Sequence, residues 1–459
     1  MTTSTAIDRF AERERDRILE ELKQLLVIPS ISTDPARAAD CRRAADWLAA
    51  HLGDLGCETT LLASETHPVL VATGPTVRGA PTILIYGHYD VQPPDPLEEW
   101  ETPPFEPTVR DGNLYARGAT DDKGQVFSII KAFEAVSAGG GPPVNVRFLL
   151  EGQEESGSKV LFRLLDERPE LVRADAVLVA DMPYYAPGWP AVETGLRGMC
   201  YAEITVRTLT TDLHSGLYGG VAPNAHETLV RILCGLKASS GRIRIPGLYE
   251  AVERPSRTER EAWKQLPFND ATFRREEVGA KALTGLSRYS ALERIWALPT
   301  FEIHGIRGGF TGEGAKTVIP AEAKAKVSLR LVPNQREQTV RRQLTKAVKA
   351  LTPTYADVRI DFIHGGDPVL ISPASRPVRL IQQAFAEVEG RPAVPIRSGG
   401  SIPIVPELTK EGAEVVLSGI GLPDDRLHAP NEKIGVGQIQ TGVRVFGRFL
   451  QAFAATDHP

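Results

Sequence analysis

Four short, nearly unbroken apolar runs narrow the architectures open to this chain: PVLVATG (68–74), PTILIYG (81–87), VNVRFLLEG (144–152) and ADAVLVAD (174–181). A strand with one face in water alternates polar and apolar residues. A run that is apolar on both sides is covered on both, as strands are inside an α/β sheet. Helical stretches separate the runs, including one after Lys123. A fifth run, AEVVLSGIG (413–421), lies far downstream between helical stretches near 376–388 and 436–453. Residues 6–27 read as one amphipathic helix with Ile18, Leu19, Leu22, Leu25 and Leu26 on one side, and a second helix follows near 37–53.

Near residue 198 the pattern changes. CYAEITVRT (about 200–208) and AKAKVSLRLVP (323–333) alternate polar and apolar residues as half-exposed strands do, and a long, charged, mostly helical stretch separates them. At 459 residues the chain is too long for one ordinary core. The expectation is therefore an α/β domain formed by residues 1–197 and 366–459, interrupted by a second domain inserted over 198–365.

Composition removes several classes of function. A net charge of -5 offers no basic footprint for nucleic acid or an anionic membrane. The longest apolar runs, such as TILIY, fall well short of the roughly 20 residues a membrane helix needs. The N-terminal MTTSTAIDRFAERERDR has no signal-peptide apolar core. Cys41, Cys57, Cys200 and Cys234 are far apart, with no C-x-x-C pair, and read as packed free thiols of a cytoplasmic protein.

The chemistry gathers at the ends of the apolar runs. TILIYG ends in His88-Tyr89-Asp90, and GNLYARGATDDKGQ places Asp121 and Asp122 in a glycine-rich turn before a helix. VNVRFLLEG ends in Glu154 and Glu155, ADAVLVA ends in Asp181, and AEVVLSGIG leads to LPDDRLHAPNEKI with His428. Each residue alone fits a cap or a solvated turn. Sites in open α/β sheets form at the carboxyl ends of strands, so together these residues converge. Clustered carboxylates repel unless protonated or paired with cations. Two divalent ions supply four positive charges against Asp121, Glu155, Asp181 and the nearby Glu154. Imidazole and carboxylate donors without thiolate suit zinc, with manganese or cobalt as alternatives. Asp90, two residues past His88, is placed to accept the imidazole's second N–H. One of the adjacent glutamates can then hold a metal while its neighbour activates water.

The ordered set YGHYDVQPP, RGATDDKGQ, EGQEESGS, DLHSGLYGG, GAKTVIP, LRLVPN, GGSIP and HAPNEK, from about residue 80 to the C-terminus, resembles a known family. It is that of the dinuclear zinc metallopeptidases, which includes cytosolic non-specific dipeptidase, carnosinase, glutamate carboxypeptidase, aminoacylase and acetylornithine deacetylase. The likeness is strongest to the dipeptidase and carnosinase branch. The resemblance implies a catalytic domain with a mostly parallel mixed sheet covered by helices, and an inserted ferredoxin-like α+β lid and dimerisation domain. It implies that His88 and Asp181 bind one metal, that Glu155 and His428 bind the other, and that Asp121 bridges them through a cis Asp121–Asp122 peptide. Glu154 would be the general base and then the acid for the leaving amine, and Asp90 the partner of His88. His214 would act on the oxyanion in a neighbouring subunit's site, while Arg330 and Ser401, with Thr317 close by, would hold the substrate's terminal carboxylate.

Three positions depart from the family pattern. Tyr89 stands where dipeptidases usually have leucine, Ser398 where glutamate often precedes GGS, and Ala429 where serine more often follows the ligand histidine. None removes a ligand, and the change at Ser398 bears on side-chain preference. The remaining histidines, His51, His67, His226, His304, His364 and His458, read as structural. The expectation is a cytoplasmic homodimer with two divalent ions per subunit, most simply Zn²⁺, that cleaves the peptide bond of dipeptides by a metal-activated water. An N-acyl amino acid deacylase or a carboxypeptidase shares that chemistry. A non-catalytic binding protein on this fold would have lost a ligand or the base, and none is missing.

Overall fold

The structure is a computed structural model that describes residues 5–64, 66–138, 140–400, 402 and 404–455. The chain divides into two compact units. One comprises Met1–Thr194, Ile371–Ile396 and Ile404–Pro459, and the other comprises Gly195–Leu370 and Arg397–Pro403.

The first unit is built on a mixed sheet. From one edge, six of its nine strands run in the order Glu58–Leu62, Val69–Thr73, Asn145–Glu151, Thr82–His88, Ala176–Ala180, Glu414–Ser418. Thr82–His88 is parallel to both neighbours, and Ala176–Ala180 is parallel to Glu414–Ser418. The carboxyl ends of four strands therefore lie along one edge. Ile83, Leu84, Ile85 and Tyr86 are all buried, as expected of a strand covered on both faces. The helix Lys123–Ser137 is buried along almost its whole length and packs against Val436–Ala454 and the strand Thr82–His88. Its first turn approaches that strand so closely that a Cβ on Gly87 would lie 2.8 Å from Asp122 Oδ2 and closer still to Val126. Only glycine lets the backbone of the strand and the start of the helix meet there.

The helix expected over 6–27 is two helices, Ala6–Arg13 and Arg15–Leu26, separated at Glu14, whose ψ of 7° leaves the helical range. The buried positions Ile7, Ala11, Ile18 and Leu22 keep helical spacing across the break, so periodicity does not register it.

The second unit carries a four-stranded antiparallel sheet in the order Thr300–Gly308, Glu322–Leu331, Gly198–Arg207, Asp357–Gly366. With the helices Ala225–Leu236 and Glu337–Leu351, the chain order is βαββαβ, a ferredoxin-like arrangement. One face, including Cys200, Ala202, Ile204, Val327 and Leu329, forms a core with residues of the two helices. On the opposite face the Tyr201 ring stacks between His304 and His364, at centroid distances of 5.1 and 4.9 Å. The charged stretch read as mostly helical thus also contains a nine-residue strand, Thr300–Gly308. That strand lies at the sheet edge, is mostly exposed, and has a bulge between Ile303 and Gly305, so no alternating pattern announces it. In the segment Arg397–Pro403, Arg397 is buried and pairs with Glu259 through Nε at 2.8 Å and Nη2 at 2.7 Å.

Candidate metal centre

The first unit brings together every residue of the sequence-derived donor set. His88 ends the strand Thr82–His88, and Asp181 follows Ala176–Ala180. Asp121 precedes the helix Lys123–Ser137, and the Asp121–Asp122 peptide is cis. Glu154 and Glu155 form a single 3₁₀ turn after Asn145–Glu151, closed by Gly157 at φ 93°. His428 lies in the loop beyond Glu414–Ser418.

Asp121 stands at the centre. Its Oδ1 lies 3.1 Å from His88 Nε2, and its Oδ2 lies 2.9 Å from His428 Nε2. Asp181 Oδ2 is 4.0 Å from the same nitrogen of His88, and Glu155 Oε2 is 3.3 Å from that of His428. Two donor groups result, His88–Asp121–Asp181 and Asp121–Glu155–His428, each with its ligand atoms within 4.8 Å of one another. They share Asp121 and use a different one of its oxygens toward each histidine. Glu154 belongs to neither group.

The electrostatics show what such a set requires. Burial, then the charge of Asp121, pushes the Asp181 carboxyl well above its usual range. Burial would also raise Asp121, but hydrogen bonds from His428 and His88 outweigh it and hold the carboxyl low. Hydrogen bonds to Asp121 and Glu155 push His428 up to about 10. For His88 burial acts downward and is overcome by Asp121 and Asp90, so the ring is pushed well up. From water alone, this cluster balances its carboxylates by taking up protons. Divalent cations achieve the same balance with two charges each, and two imidazoles with three carboxylates form a hard-to-borderline donor set without thiolate. The residues fit a pair of divalent ions.

Supporting residues make contacts beyond those expected from the sequence. His88 Nδ1 lies 3.0 Å from the backbone oxygen of Asp90 and 3.4 Å from its carboxylate. That carboxylate also accepts the backbone N–H groups of Glu154 at 3.2 Å and Glu155 at 3.1 Å, and so anchors the turn that carries both glutamates. Glu432, fully buried within HAPNEK, accepts the N–H groups of Gly118, Thr120 and Asp121 and pairs with Arg117 at 2.8 Å. It holds the backbone of the bridging aspartate, and sequence reasoning passed it over. Gln92 donates to Glu155 Oε2 at 2.8 Å.

The remaining expected residues lie in the second unit. His214 ends the short strand Leu213–His214, which pairs with Val318–Ile319, and Ser215 N donates to the Thr317 carbonyl at 3.1 Å. His214 and Thr317 are thereby neighbours. Arg330 lies on the strand Glu322–Leu331, on the face that carries Ser328. Ser401 falls outside the described residues.

Comparison with known proteins gives the family. The peptidase family M20/M25/M40 matches residues 84–452, and the chain belongs to that family of enzymes. It is 32% identical to the Cys-Gly metallodipeptidase dug1 of Schizosaccharomyces pombe, over 97% of both chains. It is 31% identical to the Beta-Ala-His dipeptidase of Mus musculus, over 96% of this chain and 94% of the relative. Its structure resembles that of the M20 family metallo-carboxypeptidase Sso-CP2 from Sulfolobus solfataricus, with a TM-score of 0.82, 30% identity and coverage of 95% of this chain and 99% of the other.

Proposed function

We propose that the protein hydrolyses the peptide bond of dipeptides at a dinuclear metal centre held by His88, Asp121, Asp181, Glu155 and His428. The observation that carries this reading is the bidentate placement of Asp121 between two imidazoles, with a half-buried carboxylate, Glu154, that feels the charges of His88, Asp121 and Glu155 but belongs to neither donor group. When bound, divalent ions there supply Lewis acidity toward a carbonyl oxygen and toward water. Zinc suits the donors, with manganese or cobalt as alternatives.

Glu154 acts as the proton carrier. Burial pushes its carboxyl up to about 7, with Glu155, Asp90 and Asp121 adding to the effect and His88 opposing it. A carboxyl balanced near neutrality can take a proton from the attacking water and return it to the leaving amine. Asp90 keeps the turn in place during both transfers.

His214 donates to the oxyanion in the site of a second copy, and Arg330, Thr317 and Ser401 hold the terminal carboxylate. Two features support the role of His214. Its Nδ1 accepts the Gly216 N–H at 3.0 Å, so the neutral ring carries its proton on Nε2 as a donor. The same segment exposes Leu217 by 77% and Val221 by 88%, apolar surface that suits an interface in a homodimer. Among the described residues no helix is long and apolar enough to cross a membrane. The four free cysteines support a cytoplasmic enzyme.

The likeness to a metallo-carboxypeptidase supports a second reading with the same donors and a longer substrate. Elemental analysis combined with hydrolysis of Ala-Ala, β-Ala-His, N-acetyl amino acids and longer peptides separates the two. The proposal expects metal-dependent cleavage of the dipeptides. Turnover confined to acyl amino acids or longer peptides, or full activity in metal-free protein, would sink it.

A further inference from the structure

The second unit contains a cavity of about 780 Å³ on the open face of its sheet. Four cationic residues line it, Arg197, Lys237, Arg294 and Arg330, against one carboxylate, Glu302. Lys237 is committed to the Phe301 carbonyl at 2.8 Å and to Glu302 at 3.4 Å. Arg294 is committed to the carbonyls of Thr284 at 2.5 Å and Ser290 at 3.3 Å.

Arg197 differs. Its backbone N–H donates to the Gly400 carbonyl at 3.0 Å and its Nε to the Gly399 carbonyl at 3.1 Å, which immobilises the guanidinium. A Cβ at Gly399 would sit 3.2 Å from Arg197 Nη2, so glycine there admits the close approach. Nη1 is buried and has no hydrogen-bond partner among the described residues. Met199 pairs with Arg330 across the adjacent strands, so Arg197, two residues before Met199, stands diagonal to Arg330 on the same face. Burial and the neighbouring charge of Arg330 push the Arg197 guanidinium down to about 10. A half-buried guanidinium held by its Nε, with Nη1 unpartnered and a second guanidinium beside it, is placed to meet an anion.

We propose that Arg197 is a specificity-determining residue whose Nη1 receives a second anionic group of the substrate, so that the pocket selects dipeptides with aspartate or glutamate at the C-terminal position. This rests on the reading that Arg330 holds the terminal carboxylate; the side-chain carboxylate of the same substrate residue then reaches Arg197.

The test compares Ala-Glu with its neutral isostere Ala-Gln. The metal-loaded wild type should favour Ala-Glu by about tenfold or more in kcat/KM, expressed in KM, which is the scale of one charge-assisted hydrogen bond. Arg197→Gln keeps an N–H for the Gly399 carbonyl but no charge. It should erase the preference by slowing Ala-Glu alone, and Arg197→Lys should keep part of it. Equal kcat/KM for the two substrates in the wild type, or an equal fall for both in Arg197→Gln, overturns the proposal and leaves Arg197 a loop clamp. Glutarate binding by calorimetry separates this outcome from failure of the dipeptidase reading. If no dipeptide is cleaved yet Arg197→Gln weakens glutarate about tenfold while butyrate is unaffected, the anion subsite stands and the dipeptidase reading falls. Glutarate affinity unchanged by Arg197→Gln overturns the subsite.

Discussion

The two units present opposite charge problems. In the first, carboxylates crowd the ends of strands that are covered on both faces, and burial raises Asp181 and Glu154 because nothing nearby neutralises them fully. In the second, guanidiniums gather on the uncovered face of an antiparallel sheet, and burial lowers Arg197. Crowded charges of mostly one sign call for counter-charges, cations in the first unit and, if the proposal for Arg197 holds, an anion in the second.

The largest expected effects separate two adjacent acids within the first unit. Glu154→Gln preserves shape but cannot carry a proton, and its rate should fall by roughly 10²–10⁴-fold with metal content intact. Glu155→Gln removes an anionic donor and should lose one ion by elemental analysis. An emptied site in Glu154→Gln with both ions kept in Glu155→Gln would exchange the roles.

The second prediction crosses from one unit's chemistry to the other's. His214→Ala should lose about 10²–10³-fold in rate while binding metal normally. If His214 serves the partner's site, a mixed dimer of His214→Ala and Glu154→Gln chains holds one doubly defective site and one intact site. It should recover about half of the wild-type rate, since one of two sites works, whereas each parent homodimer stays inactive. Mixed dimers no more active than the parents would confine His214 to its own chain or remove it from the reaction.

The third asks whether backbone support matters as much as the donors. Glu432→Gln weakens acceptance from the Gly118, Thr120 and Asp121 N–H groups and breaks the pair with Arg117. Metal affinity should drop by about 10–100-fold, the usual cost of losing a group that orients a ligand. Unchanged affinity would assign Glu432 to folding alone.

The smallest effect on rate concerns a buried acid of the first unit, Glu193. Glu193 is buried, its Oε2 has no partner among the described residues, and burial alone pushes its carboxyl up to about 8 from an ordinary 4.5. Between pH 4.5 and about 8 the folded chain keeps this proton while the unfolded chain loses it. Its contribution to stability is therefore complete below 4.5 and is lost as pH rises toward 8, by up to about 1.4 kcal/mol per unit. Glu193→Gln should flatten the fall in denaturation midpoint over that window and leave kcat unchanged. An unaltered pH profile of stability would show that Glu193 is compensated by a partner.

Much of the site was legible because parallel strands advertise themselves as unbroken apolar runs, and the residue after each run stands at the active edge. His88, Asp181 and the Glu154–Glu155 pair follow directly from that rule. The cap that Asp90 provides to Glu154 and Glu155 was not legible, since it joins residues more than sixty positions apart. Glu432 reaches across 311 positions to the Asp121 N–H, and no local pattern encodes such a bond. The edge strand Thr300–Gly308 was hidden by its exposure and its bulge.

The sequence by itself determined the donor types, their order and the strand ends that carry them, because hydrophobic periodicity and ligand chemistry are properties of short segments. Only the tertiary structure decided which oxygen of Asp121 faces which histidine and which backbone groups hold the turn of Glu154 and Glu155. It also decided that Arg197 keeps one nitrogen unpaired. Those outcomes depend on distances of about 3 Å between segments remote in the chain, where a hydrogen bond either forms or is lost.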